Sequence, residues 1–220
     1  ESFFYDMVVH LDRIKRSLRE VQIRWPEEDS FPLIARELIR LNNLEKSSAL
    51  IYLQVTRGAA KRTHSFPSPP VNPTVYAIAK DFIPENAGKE SGIGIMLKED
   101  IRWSRCDIKS VALLPNTLCF EEAINKGFLE CAFVRNGVIT ECTHSNIFFV
   151  INGILFTHPE SVYILSGITR KIIIRVARKA EVPVKEEAVS ENMLNKVQEI
   201  FITNTSAEIT PVINIDNMII

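Results

Sequence analysis

Two Asn-Gly pairs, each between short apolar segments, constrain the fold of this chain more than any other feature. They lie at the centres of LECAFVRNGVITEC, residues 129–142, and SNIFFVINGILFTH, residues 145–158. Asn and Gly both tolerate the positive φ angles that a two-residue type I′ turn requires. The sequence therefore predicts two β-hairpins, and we expect their strands to form a four-stranded antiparallel meander.

Apolar residues at helical spacing predict three amphipathic helices elsewhere in the chain. These residues are Leu11, Ile14, Leu18 and Val21 in the first helix, Ile34, Leu38 and Leu41 after Ser30 and Pro32 in the second, and Ile168, Ile172, Val176 and Ala180 in the third. We expect the third to begin near Ile168 or Thr169, behind Gly167. A fourth helix is predicted within residues 116–127, with Asn116 or Thr117 as its cap.

Residues 48–62 are typical of a strand that runs into a Gly/Ala turn, and a proline-rich loop is predicted over residues 63–73. Strand-like composition also marks residues 74–82, 93–103 and 106–114, and residues 199–212 are typical of a strand, a polar turn and a second strand. The mixture predicts an α/β chain of the mixed α+β kind and argues against a doubly wound nucleotide-binding fold. Pro, Asn and Gly interrupt the apolar pattern from residue 83. We therefore expect a smaller α/β domain over residues 1–82, a linker over 83–88 and a larger domain over 89–220.

Charge and cysteine spacing argue against several functional classes. The formal net charge of the 220 residues is -1 and the basic residues are scattered, which does not favour a nucleic-acid partner. Residues 142–159 contain no Asp, Glu, Lys or Arg, but the Asn-Gly pair at their centre is a turn signal, so we predict no membrane span. Four separated cysteines without a Cys-x-x-Cys pair indicate reduced thiols in a cytoplasm, and no His/Cys cluster has metal-ligand spacing.

Lys109 lies in IRWSRCDIKSVALLPN, residues 101–116, among apolar neighbours. Strand alternation would place it on one face with Trp103, Arg105 and Asp107. In the ordinary interpretation it is an edge-strand lysine that reaches water. In the alternative, partial desolvation lowers the pKa of its amine and leaves the amine able to attack a carbonyl group.

Other polar residues are candidates for a binding site. Arg62 and His64, two apart in KRTHSF, could grip a carboxylate together, although such loops are commonly just solvated. Glu141 lies in an otherwise uncharged run, which supplies no obvious partner, so a protonated ligand group is one option. The start of the helix at Ile168 and Thr169 offers free amides to an anion, and Thr205 lies in a hydroxyl-rich turn. An amine, an acid, an anion site and a carboxylate grip are what a pyridoxal phosphate enzyme requires.

Six motifs in order resemble the class IV (fold type IV) aminotransferases, and most closely their D-amino acid aminotransferase branch. The motifs are HLDR, YLQVTRGAAKRTHSFP, RWSRCDIKSVALLPN, GVITECTHSNIFFV, LSGITR and ITNTSAEITPV. The resemblance covers essentially the whole chain. It implies a two-domain pyridoxal phosphate fold with antiparallel hairpins in the larger domain, a cytoplasmic homodimer, and amino acids and 2-oxo acids as small-molecule substrates.

The resemblance also assigns roles to individual residues. Lys109 matches the lysine that forms the internal aldimine with the cofactor and later moves the proton, and Glu141 matches the acid that pairs with the pyridine nitrogen. The residues that match the rest of the cofactor site are Arg13, Ile168, Thr169 and Thr205 at the phosphate and Leu165 against the ring. Arg62 and His64 match the pair that binds the substrate α-carboxylate in the D-specific branch.

Three departures from the family pattern bear on function. The chain begins after the strand that should carry a substrate-facing tyrosine, and it stops before the final helix of the family, so both ends are expected to be truncated. His144 and Asn204 stand where small hydroxyl residues are usual, which points to a different substrate side-chain pocket.

The expected activity is transfer of the amino group from a D-amino acid such as D-alanine to 2-oxoglutarate or a similar acid. A branched-chain L-amino acid aminotransferase, a 4-amino-4-deoxychorismate lyase and an inactive binding protein on the same fold are the alternatives.

Overall fold

A computed structural model of the chain describes residues 4–84 and 88–220. The chain divides into two compact units, Glu1–Ile83 and Pro84–Ile220. The predicted linker contains residues 85–87, which lie outside the described residues.

The first unit pairs two helices with one β-hairpin. Its elements are α1 (Met7–Glu20), α2 (Phe31–Leu41), β1 (Ala49–Thr56) and β2 (Thr74–Asp81), and β1 and β2 are antiparallel along their full length. Both predicted helices are confirmed. Ser30 precedes α2 and Pro32 lies in its first turn, where a missing N–H costs nothing. The loop between β1 and β2 contains the predicted proline-rich segment.

The buried face of α2 differs from the predicted one. Ile34 and Leu41 are exposed, whereas Phe31, Ala35 and Ile39 are buried. Phe31 and Ala35 pack with Leu18 of α1 and with Trp25, which meets Phe31 edge to face at 6.1 Å. Apolar residues of α2 lie on more than one face of the helix. Packing against neighbouring elements, and not periodicity alone, therefore determines which face is buried.

The second unit contains a mixed sheet with two helices. Its helices are α3 (Leu114–Asn125) and α4 (Ile168–Lys179). Its strands are β3 (Ile93–Glu99), β4 (Glu130–Arg135), β5 (Val138–Cys142), β6 (Asn146–Ile151), β7 (Ile154–Thr157), β8 (Val184–Lys185), β9 (Val189–Ser190), β10 (Glu199–Asn204), β11 (Glu208–Ile215) and β12 (Met218–Ile219).

Both Asn-Gly hairpins are confirmed. All four turn residues have positive φ, at 52° and 76° for Asn136 and Gly137 and at 52° and 72° for Asn152 and Gly153. The predicted meander is wrong, because the strand order is β8-β7-β6-β10-β11-β3-β4-β5-β9, with β12 beside β11. The hairpins lie towards opposite ends of this order, and β6 pairs with β10 instead of β5. A curled sheet lets the short turn 143–145 join β5 to β6.

Residues 100–113 contain no strand, which corrects the extended conformation predicted for residues 100–103 and 106–113. The chain turns at Cys106 and Asp107 instead of continuing as a ribbon. The helix predicted from residue 116 begins at Leu114, with neither Asn116 nor Thr117 as cap. Asn116 donates to the carbonyl of Thr143 at 2.6 Å, and the Thr117 hydroxyl bonds back to the carbonyl of Leu113.

The predicted start of α4 at Ile168 is confirmed, but its buried face is not the predicted one. The buried residues are Ile168, Arg170, Ile174 and Ala177, while Val176 and Ala180 are exposed. The main core lies on the other side of the curled sheet, where β-branched and aromatic side chains from six or more strands meet. Its fully buried members include Ile95, Ala132, Ile139, Ile147, Phe149 and Val189.

We expect Phe149→Ala to lower the free energy of unfolding by about 3–5 kcal/mol, because the cavity left by the ring cannot collapse among strands that are fixed by their ladders. Urea denaturation measures the change. The control is Val176→Ala on the exposed face of α4, which should change the same quantity by less than about 0.5 kcal/mol. Equal effects of the two substitutions would contradict this description of the core.

Candidate active site

Glu141, on β5, is the centre of the polar cluster in the second unit. Glu141 is 5% exposed, and three donors among the described residues reach its carboxylate. Arg102 donates Nη1–H to Oε1 at 2.6 Å, and Oε2 accepts from the amide N–H of Leu165 at 2.9 Å and from Asn146 Nδ2 at 3.2 Å. The positive partner that a buried Glu141 requires is Arg102, which lies outside the uncharged run, 39 residues earlier.

Burial raises the pKa of Glu141 to about 7, against the attraction of Arg102 and the N–H of Leu165. All three hydrogen-bonding partners are donors, so the ionised carboxylate can accept a hydrogen bond from each of them. A protonated acid would have a donor of its own in place of one acceptor position and would lose one of these hydrogen bonds. Near neutral pH the carboxylate is therefore ready to change its protonation with a small change in its surroundings.

Arg102 is itself held by a second buried acid, Asp100, whose side chain is fully buried. Nε and Nη2 of Arg102 donate to the two oxygens of Asp100 at 2.9 and 3.0 Å, and Arg135 Nε donates to the second oxygen at 3.0 Å. Burial acts to raise the pKa of Asp100, but the hydrogen bonds from the two arginines outweigh it and lower that pKa. Two cations and two anions thus form one cluster with balanced charge.

Lys109 lies in the irregular segment between β3 and α3 and is exposed. The predicted strand face does not form: Asp107 is buried and accepts from Arg105 Nε at 3.0 Å, while Lys109 faces outward. The segment is tied to the cluster by Arg102, and Cys106 N–H donates to the carbonyl of Val162 at 2.8 Å. The amine is thus carried by a loop that is anchored to the same elements as Glu141.

The start of α4 is tied to Glu141 through Asn146. Asn146 Nδ2 donates both to Glu141 and, at 2.9 Å, to the carbonyl of Leu165. Its Oδ1 occupies the space beside Gly167, where an added Cβ would lie 2.2 Å from that oxygen. Gly167 precedes α4 and supplies no side-chain cap to the first amides of the helix. The sequence predicts an anion site at those amides, which include the amides of Ile168 and Thr169.

The structure brings Thr205 to this helix start. The hydroxyl of Thr169 donates to the carbonyl of Asn204 at 3.1 Å, and Thr205 follows in the exposed turn between β10 and β11. The Asn204 side chain accepts from the N–H groups of Ser206 and Ala207, which shapes the turn. Glu141, Leu165, Ile168, Thr169 and Thr205 are thus linked by a continuous series of hydrogen bonds and short chain segments.

His144 and Asn204, which depart from the family pattern, belong to one network. Asn204 Nδ2 donates to Ser145 Oγ at 3.1 Å, and Ser145 donates to the buried carboxylate of Glu130 at 3.2 Å. His144 Nδ1 lies 3.0 Å from the same carboxylate, and its ring is half exposed, edge to face with Phe120. Thr143 also donates to Glu130 through its hydroxyl.

The first unit holds the remaining three predicted site residues. Arg13 is on α1, half-buried, and burial lowers the pKa of its guanidinium. Arg62 and His64 are exposed in the loop between β1 and β2. Arg62 and His64 are therefore accessible to solvent, and Arg13 is partly accessible.

Sequence reasoning missed the residues that organise the site: Asp100, Arg102, Glu130, Arg135 and Asn146. A signal for Arg102 was present, since Asp-x-Arg directly follows the strand that begins at Ile93 and places opposite charges close together, where a lone buried charge would be costly. No group of three or more His, Cys, Asp or Glu side chains in the described parts of the chain is arranged to hold a metal ion. None of the helices in residues 4–84 and 88–220 has the length and apolar character of a membrane span.

Comparison with known proteins places this chain in a family. The family model for amino-transferase class IV matches residues 3–215. The chain belongs to the class IV aminotransferases. Its relatives include a protein of Staphylococcus haemolyticus named D-alanine aminotransferase, which is 39% identical over 214 residues, 96% of this chain and 75% of the relative.

Solved structures of class IV aminotransferases share the fold. A branched-chain amino acid aminotransferase of Escherichia coli is 28% identical and has a TM-score of 0.87, over 96% of this chain and 71% of that protein. A T.th. branched-chain amino acid aminotransferase, solved in complex with N-(5'-phosphopyridoxyl)-L-glutamate, is 25% identical with a TM-score of 0.86, over 97% and 71% of the two chains.

We expect Gly167→Ala in this class IV aminotransferase to lower the free energy of unfolding by about 1–3 kcal/mol. The new Cβ forces the Asn146 amide away, so that Glu141 and the carbonyl of Leu165 each lose the hydrogen bond from Asn146. Gly167 has φ -67° and ψ 144°, which alanine adopts freely, so backbone strain adds nothing. Urea denaturation provides the measurement.

A double-mutant cycle supplies the control. In an Asn146→Ala background there is no amide to displace, so Gly167→Ala should then cost less than about 0.5 kcal/mol. The same cost in both backgrounds would show that Gly167 acts independently of Asn146.

Proposed function

We propose that this class IV aminotransferase transfers the amino group of a D-amino acid, such as D-alanine, to a 2-oxo acid such as 2-oxoglutarate, with pyridoxal 5'-phosphate as cofactor. The similarity to D-alanine aminotransferase over 96% of the chain supports the choice of reaction. The buried carboxylate of Glu141, linked by hydrogen bonds to an uncapped helix start, is the structural observation that supports the cofactor.

The residues of the second unit fit pyridoxal phosphate. A carboxylate has about four acceptor positions. Three donors among the described residues reach Glu141, so one position remains for the N–H of a protonated pyridine ring. The amides of Ile168 and Thr169 and the hydroxyl of Thr205 would hold the phosphate, as the family resemblance implies, and Leu165 would pack against the ring.

When bound, pyridoxal phosphate supplies an aldehyde that condenses with amines and a protonated ring that accepts the electron pair released when Cα loses its proton. In this reaction the amine of Lys109 would hold the aldehyde carbon and, once released, move the proton between Cα and that carbon. Its place in an exposed loop gives a substrate access to it. Glu141 would keep the ring nitrogen protonated.

For the substrate, we propose that Arg62 and His64 bind the α-carboxylate. His144 and Asn204 would border the side-chain pocket, and the buried Glu130 and Ser145 hold them in place. A histidine fixed against a buried carboxylate offers its second ring nitrogen to a polar substrate group, which a small hydroxyl residue could not reach.

We further propose that the two compact units are the smaller first domain and the larger cofactor-binding domain of the family, and that the active protein is a cytoplasmic homodimer. All four cysteines are free thiols, and burial raises the pKa of each of them, which agrees with a reducing compartment.

The amino donor assay separates this function from the alternatives within the fold. We expect the protein, expressed with its complete chain, to transfer an amino group from D-alanine to 2-oxoglutarate, measured as pyruvate formed with coupled lactate dehydrogenase. Transfer from L-leucine but not D-alanine would identify a branched-chain aminotransferase instead. Pyruvate released from 4-amino-4-deoxychorismate without a 2-oxo acid would identify a lyase.

Borohydride trapping tests the lysine. Reduction of the C=N bond between cofactor and lysine should leave a phosphopyridoxyl group on the peptide that contains Lys109, detected by mass spectrometry. Lys109→Ala should abolish this product, whereas Lys126→Ala, at an exposed lysine paired with Glu122, should leave it unchanged. No adduct in the wild-type protein, or the same adduct in Lys109→Ala, would favour an inactive binding protein or a different lysine.

A further inference from the structure

The charged cluster around Glu141 contains more charged residues than an Arg102–Glu141 ion pair requires. Arg102 touches Glu141, and behind it lie Asp100 and Arg135, which bind each other and Arg102. The side chains of Arg102 and Asp100 are 5% and 0% exposed. Buried charges are expensive unless each is paired and hydrogen-bonded, so an arrangement of this size calls for a purpose besides packing.

Contacts on several sides fix the orientation of the Arg102 side chain. Its Nε and Nη2 are bound to the two oxygens of Asp100, and Nη2 also donates to the carbonyl of Tyr163 at 3.3 Å. Its guanidinium lies over the ring of Phe133, with Cζ 4.3 Å from the ring centre. Nη1 is thereby directed at Glu141, 2.6 Å away, without the rotamer freedom of an exposed arginine.

Arg102 supplies the main charge that opposes protonation of Glu141. Burial raises the pKa of Glu141 to about 7, and the attraction and hydrogen bond of Arg102 are the largest opposing effects, while Asp100 adds a smaller repulsion. The nearby thiols of Cys106 and Cys142 stay neutral because burial raises their pKa values. Loss of the Arg102 charge would therefore leave Glu141 protonated at neutral pH.

We propose that Arg102 is a positioning residue that keeps Glu141 ionised so that it can accept a hydrogen bond from the protonated ring nitrogen of the cofactor. Asp100 binds the guanidinium of Arg102 and holds it in place, whereas Arg135 contacts Asp100 and the backbone carbonyl of Arg102. The inference rests on the proposed function, because the ring nitrogen belongs to pyridoxal phosphate. Without Arg102, the proton would move from the ring nitrogen to the Glu141 carboxylate, and the ring would lose the positive charge that makes it an electron acceptor.

Three variants of the holoenzyme test this role. Arg102→Gln removes the charge, Arg102→Lys keeps it on a side chain without the planar fork, and Arg135→Gln removes a cation of the same cluster that lies behind Asp100. Each is loaded with pyridoxal phosphate labelled with ¹⁵N in the ring. The ¹⁵N chemical shift, followed against pH, reports protonation of the ring nitrogen directly and does not depend on turnover.

In Arg102→Gln the ring nitrogen should lose its proton at a pH lower than in the wild-type protein by at least about one unit. Arg102→Lys should recover most of that shift, and Arg135→Gln should titrate close to wild type. If Arg102→Gln titrates like wild type, or if Arg102→Gln and Arg135→Gln shift equally, Arg102 is a structural residue and the proposal is wrong.

A second measurement does not depend on whether the Arg102 variants fold. The ¹³C shift of the Glu141 carboxyl group, assigned with Glu141→Gln, should be that of a carboxylate in the wild-type holoenzyme at neutral pH, and that of a neutral acid would overturn the proposal. The outcomes also separate the two levels of inference. A wild-type protein that forms a Lys109 adduct but shows an unprotonated ring keeps the proposed function and rejects the role of Arg102, while absence of the adduct rejects both.

Discussion

The carboxylate of Glu141 lies near the end of strand β5, where burial opposes its ionisation. Such a group persists only if the surroundings supply donors in fixed positions. Here Arg102, Asn146 and the N–H of Leu165 supply them, from three segments that are distant in sequence. Each segment therefore has a defined place in the second unit, and the loop with Lys109, the strand β6 and the approach to α4 are all located relative to one acid.

The fold explains how these segments meet. The hairpins β4-β5 and β6-β7 lie towards opposite ends of the strand order, and the short turn 143–145 can join them only because the sheet curls. The curl brings Glu141 at the end of β5 to Asn146 at the start of β6. Gly167 then lets the Asn146 amide approach the backbone closely, which connects the acid to the amides at the start of α4.

The same turn contacts a second buried acid, which has a different role. Glu130 is fully buried and its carboxylate accepts from Thr143 and Ser145, with His144 beside it. Ser145 extends this network to Asn204. His144 and Asn204 are therefore coupled: a change at His144 alters the contacts of Glu130, and Ser145 connects Glu130 to the turn that holds Thr205. A substrate preference that depends on either residue is expected to depend on both.

Local chemistry decided much of this protein from sequence alone. Asn136-Gly137 and Asn152-Gly153 form type I′ turns because their backbone conformations need no distant contact, and α2 and α4 begin at Pro- and Gly-marked positions for the same reason. The order of motifs was sufficient to identify the family and to select Lys109 and Glu141 as candidates. Strand order, the buried faces of α2 and α4, and the Arg102–Glu141 pair needed the tertiary structure. Periodicity within a segment cannot report which segment will lie opposite it, and a buried charge takes its partner from whichever strand or loop the curled sheet brings within hydrogen-bonding distance.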